Sequence, residues 1–139
     1  MLYQFIFYNF KNFNKMIESP KIEVIARELE KLELVNGIIG TAIVNRNGLI
    51  IISSLPRDVD NRKFGAMAAT MFEAMETATT TLKNRLVNLT VEYDDYQLII
   101  YVLNAEIIFV SLLEMNIDLG IALIEIEECI KTIHKLLEV

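Results

Sequence analysis

Cys129 and His134 are the only cysteine and the only histidine of the 139 residues, and they stand five positions apart near the C terminus. A thiol and an imidazole can do nucleophilic chemistry, but only where the base reaches the thiol. Five residues on a helix turn two side chains about 140° apart, so the pair cannot meet locally. The expectation is that Cys129 is a small buried hydrophobe. His134 is expected to be a solvated residue near a helix end, where a cation is favoured. A lone cysteine excludes an intrachain disulfide and any multi-cysteine zinc site.

Asp58, Asp60 and Asn61 open like a calcium loop. The series then fails, because Arg62 falls where a fifth-position ligand is needed and the sixth position holds no glycine. A capped loop is the simpler reading. Asp94-Asp95 reads as a polar turn and Glu127-Glu128 as a solvated helix edge. The chain contains neither GxxxxGK followed by Ser or Thr nor GxGxxG. Without such a phosphate cradle it is not expected to turn over nucleotides itself. No residue is therefore assigned to catalysis, to a cofactor or to a metal, and the chain is expected not to be an enzyme.

Composition agrees. Hydrophobic residues make up 53% and charged residues 23%, enough apolar material for one real core. The length suits a single domain. A net charge of −6 counts against a nucleic-acid surface, which needs a basic field. No apolar run is long enough for a transmembrane helix, and the expected location is the cytoplasm.

Residues 1–15 differ from the rest. Six of the twelve aromatics lie there (Tyr3, Phe5, Phe7, Tyr8, Phe10, Phe13), with Lys11, Lys15 and no acid, so the remaining chain carries −8. The segment lacks a signal-peptide cleavage site and is interrupted by Asn. Three readings stay open: an over-extended reading frame with Met16 as the true start, an interfacial anchor with aromatics at the headgroups, or an extra strand or tail. The domain is placed at 16–139. Membrane contact is expected, if at all, only through 1–15.

Beyond Met16 the elements are legible from period and punctuation. Ser19-Pro20 starts a helix. Ile22, Ile25, Ala26, Leu29 and Leu32 line one face of it to about Leu34, and Asn36-Gly37 ends it. Ile38–Val44 and Leu49–Ile52 are apolar strands around Asn45-Arg46-Asn47-Gly48, a hairpin turn. Asp60 or Asn61 caps a middle helix to about Leu82. Its core stripe is read as Phe64, Met67, Ala68, Met71, Ala74, Met75, Ala78 and Leu82. Gly65, Ala66, Ala69 and Phe72 lie opposite, and no charge occurs between Phe64 and Phe72. A helix apolar all round must be covered on both sides. Met67, Met71 and Met75 would suit an adaptable interface only if their side were exposed.

Leu86–Tyr93 alternates. Tyr96–Leu103 and Glu106–Leu113 are almost wholly apolar and are joined by a tight Asn104-Ala105 turn. Asp118 caps a final helix with Leu119, Leu123, Ile126, Ile130, Ile133 and Leu137 on its stripe. The order is α-β-β-α-β-β-β-α. Strands apolar on both faces need helices on both faces. The fold class is therefore a three-layer α/β (α+β) sandwich on a five-stranded antiparallel sheet, with the middle helix on one side and the terminal helices on the other.

With its residues in place, this order resembles the roadblock/dynein light-chain family. The stretches that carry the resemblance are LELVNGIIGTAIVNRNGLIIISSLP, with Gly37, Gly40 and Asn47-Gly48, then FGAMAATMFEAMETAT, NLTVEYDDYQLIIYVL and NIDLGIALIEIEECIKTI. It covers about Ile17 to Val139, and the fold it implies is roadblock/profilin-like. The resemblance implies a non-enzymatic dimer that regulates or scaffolds a small Ras-like GTPase in trans, with no cofactor. On the residues, the dimer contact is placed at Gly65, Ala66, Ala69, Phe72, Glu73 and Glu76 of the middle helix, with its axis near Ala69. Thr90 and Glu92 are added as an edge strand. The alternative is a small-molecule sensor domain, which would need a cavity with converging polar groups. The strand interiors supply few such groups: Thr41, Gln97 and Ser111.

Overall fold

The computed structural model describes residues 19–138. The aromatic segment 1–15 and the expected start at Met16 lie outside the described residues. Helix α1 (Ser19–Glu33) leads to strands β1 (Ile38–Asn45) and β2 (Ile50–Ser54), then α2 (Asn61–Ala78). A 3-10 turn at Thr80–Leu82 precedes β3 (Asn88–Glu92), β4 (Tyr96–Val102), β5 (Ile107–Glu114) and α3 (Leu119–Glu138). The five strands form one sheet in the order β2-β1-β5-β4-β3, every pair antiparallel.

Period two along each central strand divides its side chains between two cores. Ile43, Ile99, Tyr101 and Phe109 point to one face and pack with Ile25 and Leu29 of α1 and with Ile126, Ile130 and Ile133 of α3. Ala42, Val44, Leu98, Ile100, Ile108 and Val110 point to the other and pack with Phe64, Ala68 and Phe72 of α2. This is the expected three-layer sandwich, with the helices on the expected sides.

Local chemistry fixes the element ends. Asp60 caps α2, its carboxylate accepting from the Lys63 amide at 3.1 Å. Asp118 does the same for α3 through the Ile121 amide at 3.3 Å. In the β4–β5 turn, Asn104 Oδ1 accepts from the amides of Glu106 and Ile107. Helix α2 stops at Ala78, a turn short of the expected Leu82. There the Thr79 hydroxyl donates to the carbonyls of Met75 and Glu76, and the chain tightens before Lys83 takes φ 56. A threonine that bonds its own helix's carbonyls competes with continuation of the helix.

The register also decides which ends of the helices meet. Ile38 opposes Leu113, and Gly37 lies so close to Ile117 that an added Cβ would sit 2.5 Å from it. Helix α1 therefore ends, and α3 begins, at the end of the sheet where β1 starts and β5 finishes. The N terminus of α1 and the C terminus of α3 share the opposite end with Asn45, the Asn104-Ala105 turn and the start of β3.

Candidate functional site

The side of α2 turned to the sheet is not the one the periodicity favours. Phe64, Gly65, Ala68, Ala69 and Phe72 are buried, and Phe72 has no exposed surface at all. Met67 and Met75 are exposed at 36% and 38%, and Ala66, Thr70, Ala74 and Ala78 are exposed or half-exposed with them. The helix is rotated from the expected setting: Phe64 and Ala68 are buried as expected and Met71 is half-buried, but Gly65, Ala69 and Phe72 take the inward places expected for Met67, Ala74 and Met75. Gly65, Ala69 and Phe72, expected as an outer contact centred near Ala69, are instead covered within the chain.

The physical reason is the β1–β2 turn. Gly48, at φ +90, lays its backbone directly on α2: a Cβ on Gly65 would meet the Gly48 carbonyl oxygen at 2.4 Å. Only a glycine on the inward side of α2 permits that approach. With Gly65 inward, Phe72 two turns on is inward too. The Arg46 guanidinium then stacks over it at 5.0 Å and donates to Glu76 Oε1 at 3.0 Å. Glu76 is thus paired within the chain with its side chain still 44% exposed, and Glu73 is exposed.

The outward face of α2 carries no charge from Phe64 to Phe72 and presents soft methionines. It borders β3. Tyr93, just after β3, holds its hydroxyl 3.7 Å from Met71 Sδ. Among the described residues strand β3 is a sheet edge, paired only with β4. Asn88 and Glu92 are exposed along it, Leu89 and Val91 are half-buried, and Thr90 stands exposed between those two. At this corner an uncharged helix face and an open strand edge lie side by side.

The candidate reactive groups do not converge. The Cys129 thiol is buried against the Glu28 carbonyl, 3.7 Å away. Burial first, and the Glu28 charge second, push its pKa up to about 12, the opposite of a poised nucleophile. His134 is not freely solvated as expected: it is half-buried, with Nε2 3.3 Å from the Val102 carbonyl. Tyr101 donates to Glu127 at 2.9 Å, and burial with that acceptor raises its pKa to about 12. No group of metal-ligating side chains occurs among the described residues. Thr41 is buried, its hydroxyl without a partner among the described residues, and Ser111 donates to the Gly40 carbonyl at 3.3 Å.

One open groove of about 940 Å³ runs along the sheet end that holds the α3 C terminus. Leu86, Val87, Val102, Leu103 and Ala105 line it, with Arg46, Glu73, Glu76, Arg85 and His134 around them. Most of its polar groups are already partnered: Arg46 with Glu76, Asn84 with the Leu82 carbonyl, His134 with the Val102 carbonyl. Thr41 and Ser111 of the strand interiors do not line it.

The Roadblock/LC7 domain family matches residues 25–112, from the middle of α1 into β5. The chain belongs to that family. Its sequence relatives include the uncharacterized protein MJ0714 of Methanocaldococcus jannaschii, 31% identical over 106 residues, which are 76% of this chain and 86% of that protein. A second protein of the same organism, MJ0310, is 32% identical over 98 residues, 70% of this chain and 86% of its own.

Solved structures share the roadblock fold at lower identity. Myxococcus xanthus MglB superposes with a TM-score of 0.74 at 18% identity, covering 87% of this chain and 98% of its own. The gliding protein MglB of Thermus thermophilus reaches 0.77 at 13% identity, over 85% of this chain and 91% of its own. Profilin II of Acanthamoeba castellanii reaches 0.52 at 13% identity over 78% and 95%. The roadblock domain here is the five-stranded, three-helix α+β sandwich of that group. No helix among its described residues is long and apolar enough to cross a membrane.

Proposed function

We propose that this roadblock chain is a non-enzymatic homodimer of about 32 kDa, twice its 15.9 kDa mass, that acts in the cytoplasm. In this reading it serves as regulator or scaffold for a small Ras-like GTPase bound in trans. The observation that carries the dimer is the uncharged outward face of α2 beside the open edge of β3. Two copies related by a two-fold axis bring Met67, Ala74 and Met75 against their equivalents and pair the two β3 edges into one continuous sheet. That removes an exposed edge, a hazard for any sheet protein, and covers the half-buried Leu89 and Val91. The contact expected at Gly65, Ala69 and Phe72 moves round the helix to Met67, Thr70, Met71, Ala74 and Met75. Ala66, Thr90 and Glu92 keep their places in it.

Family membership supports the GTPase link. A chain with no phosphate loop contributes surface, and the partner contributes the nucleotide chemistry. The test is affinity capture of the tagged chain with Ras-like GTPases of its source cell, each loaded with GDP or a non-hydrolysable GTP analogue. Retention of one such GTPase, with the purified chain alone hydrolysing no GTP, is the expected result. Failure to retain any, or a stoichiometric metabolite in the purified protein, would transfer support to the sensor reading.

A further inference from the structure

We infer that the free edge of β3 is built to pair antiparallel with the same edge of a second copy in one register, Thr90 on Thr90, and that the charges at its two ends set that register. The inference rests on the dimer reading above and adds which residues meet. Along β3 the backbone groups alternate in direction. The Tyr93 N–H donates to the Tyr96 carbonyl at 2.8 Å and the Val102 N–H to the Val87 carbonyl at 3.2 Å. Val87, Leu89, Val91 and Tyr93 therefore turn their backbone groups to β4. Those of Asn88, Thr90 and Glu92 point the other way, to the open edge.

Two copies of one strand can pair only in registers that keep like faces together, because a slip of one residue turns every side chain to the wrong side. With Thr90 opposite Thr90 of the second copy, Asn88 meets Glu92, and all the outward-pointing backbone groups of both strands find partners. The half-buried Leu89 then meets Val91 on the α2 side. Val87, 62% exposed, meets Tyr93, 41% exposed. A slip of two residues either way carries Asn88 or Glu92 past the end of the opposing strand and parts Val87 from Tyr93.

The two ends of the strand carry opposite charge. Lys83 and Arg85 precede it, and Glu92, Asp94 and Asp95 stand at and beyond its end. All are exposed, and none holds an ion pair among the described residues. Glu73 lines the same groove as Arg85 without pairing with it, and Glu76 is held by Arg46. An edge that is basic at its start and acidic at its end repels its own copy in a parallel alignment and attracts it in an antiparallel one. The Thr90 register brings the Arg85 end of each copy toward the Asp94-Asp95 turn of the other, and the two-fold axis repeats the contact. An edge complementary to itself selects a second copy of this chain over an unrelated strand.

The test mixes two variants of the full chain. Arg85→Glu makes both ends of the edge acidic, and Asp94→Lys with Asp95→Lys makes both ends basic. These positions are exposed, so the fold is expected to survive. Each variant alone should raise the homodimer dissociation constant at least about tenfold. Mixed together they should form a heterodimer at near wild-type affinity, read by light scattering and native mass spectrometry. The register is read separately in chains carrying Cys129→Val. Thr90→Cys should give a disulfide-linked dimer on mild oxidation, since residues so opposed lie about 5.5 Å apart. Asn88→Cys and Glu92→Cys should link only when mixed with each other. A stable wild-type dimer that gives no Thr90 link, or that is indifferent to the charge reversals, overturns the register and leaves the dimer standing. A wild type that is monomeric at micromolar concentration overturns both.

Discussion

On one face of the sheet two antiparallel helices, α1 and α3, lie side by side and bury Ile43, Ile99, Phe109 and Leu113 completely or nearly so. On the other face α2 is the one helix among the described residues. It closes over β1 and β2, and it leaves Leu89, Val91 and the edge of β3 half-covered. The central strands are equally apolar on both faces, so the difference is a matter of how many helices are available. A finished face gives stability to the single chain. The unfinished face lies beside the stretch of α2 that is uncharged from Phe64 to Phe72, and it is there that the dimer contact is proposed. The same helix α2 contains both kinds of surface: Phe72 belongs to the first and Met67 to the second.

Substitutions on the two sides of α2 break or sharpen that contrast. Phe72→Ala removes a fully buried ring and the platform under Arg46. It is expected to cost about 3–5 kcal/mol, read as a drop in the urea midpoint. A loss under about 1 kcal/mol would mean that Phe72 is not the core residue its burial indicates. Met67→Arg, on the outer side, is expected to leave the secondary structure intact. It should raise the dimer dissociation constant at least about a hundredfold, some 2.7 kcal/mol, measured by light scattering across a dilution series. A wild type that is monomeric at micromolar concentration would remove the dimer altogether.

Gly65→Ala tests the hairpin contact that set the helix's rotation. Alanine is the better helix former, yet its Cβ would stand 2.4 Å from the Gly48 carbonyl oxygen. We expect a net loss of about 1–3 kcal/mol in thermal unfolding, whereas Ala66→Gly on the outer side costs only about 1 kcal/mol of helix propensity.

The smallest effect concerns pH and belongs to the finished face. Cys129 and Tyr101 both keep their protons to about 12 in the fold. Unfolded, they release them near 9 and 10. The folded state therefore binds more protons above pH 9, and stability that is complete below that pH falls as pH rises toward 12. Cys129→Val should remove about 1 kcal/mol of the loss between about pH 7 and 10, read from urea midpoints at the two pH values. An unchanged alkaline slope would mean the thiol is not held out of water.

Element order, strand positions and layer assignment are legible in the sequence because they depend on local signals. Asp60 and Asp118 cap, Asn104 and Gly48 turn, and an apolar run in a strand needs cover on both faces wherever it lies in the chain. The ends of α2 and β3 are less legible, since Thr79 can either continue a helix or bond back to it. Which side of α2 faces inward is legible only in part: Phe64 and Ala68 are buried as read, and the rest of the inward face is not. Its stripes, Met67/Met71/Met75 and Gly65/Ala69/Phe72, are both apolar, and a helical period ranks them only by hydrophobicity. The choice is made by a contact between residues far apart in the chain, the Gly48 backbone lying on Gly65. His134 escapes a sequence reading for the same reason, since nothing near it in the chain announces the Val102 carbonyl beside it. Local chemistry determines what each segment becomes. Which of two similar faces it buries is a question of shape, and shape exists only once the segments have met.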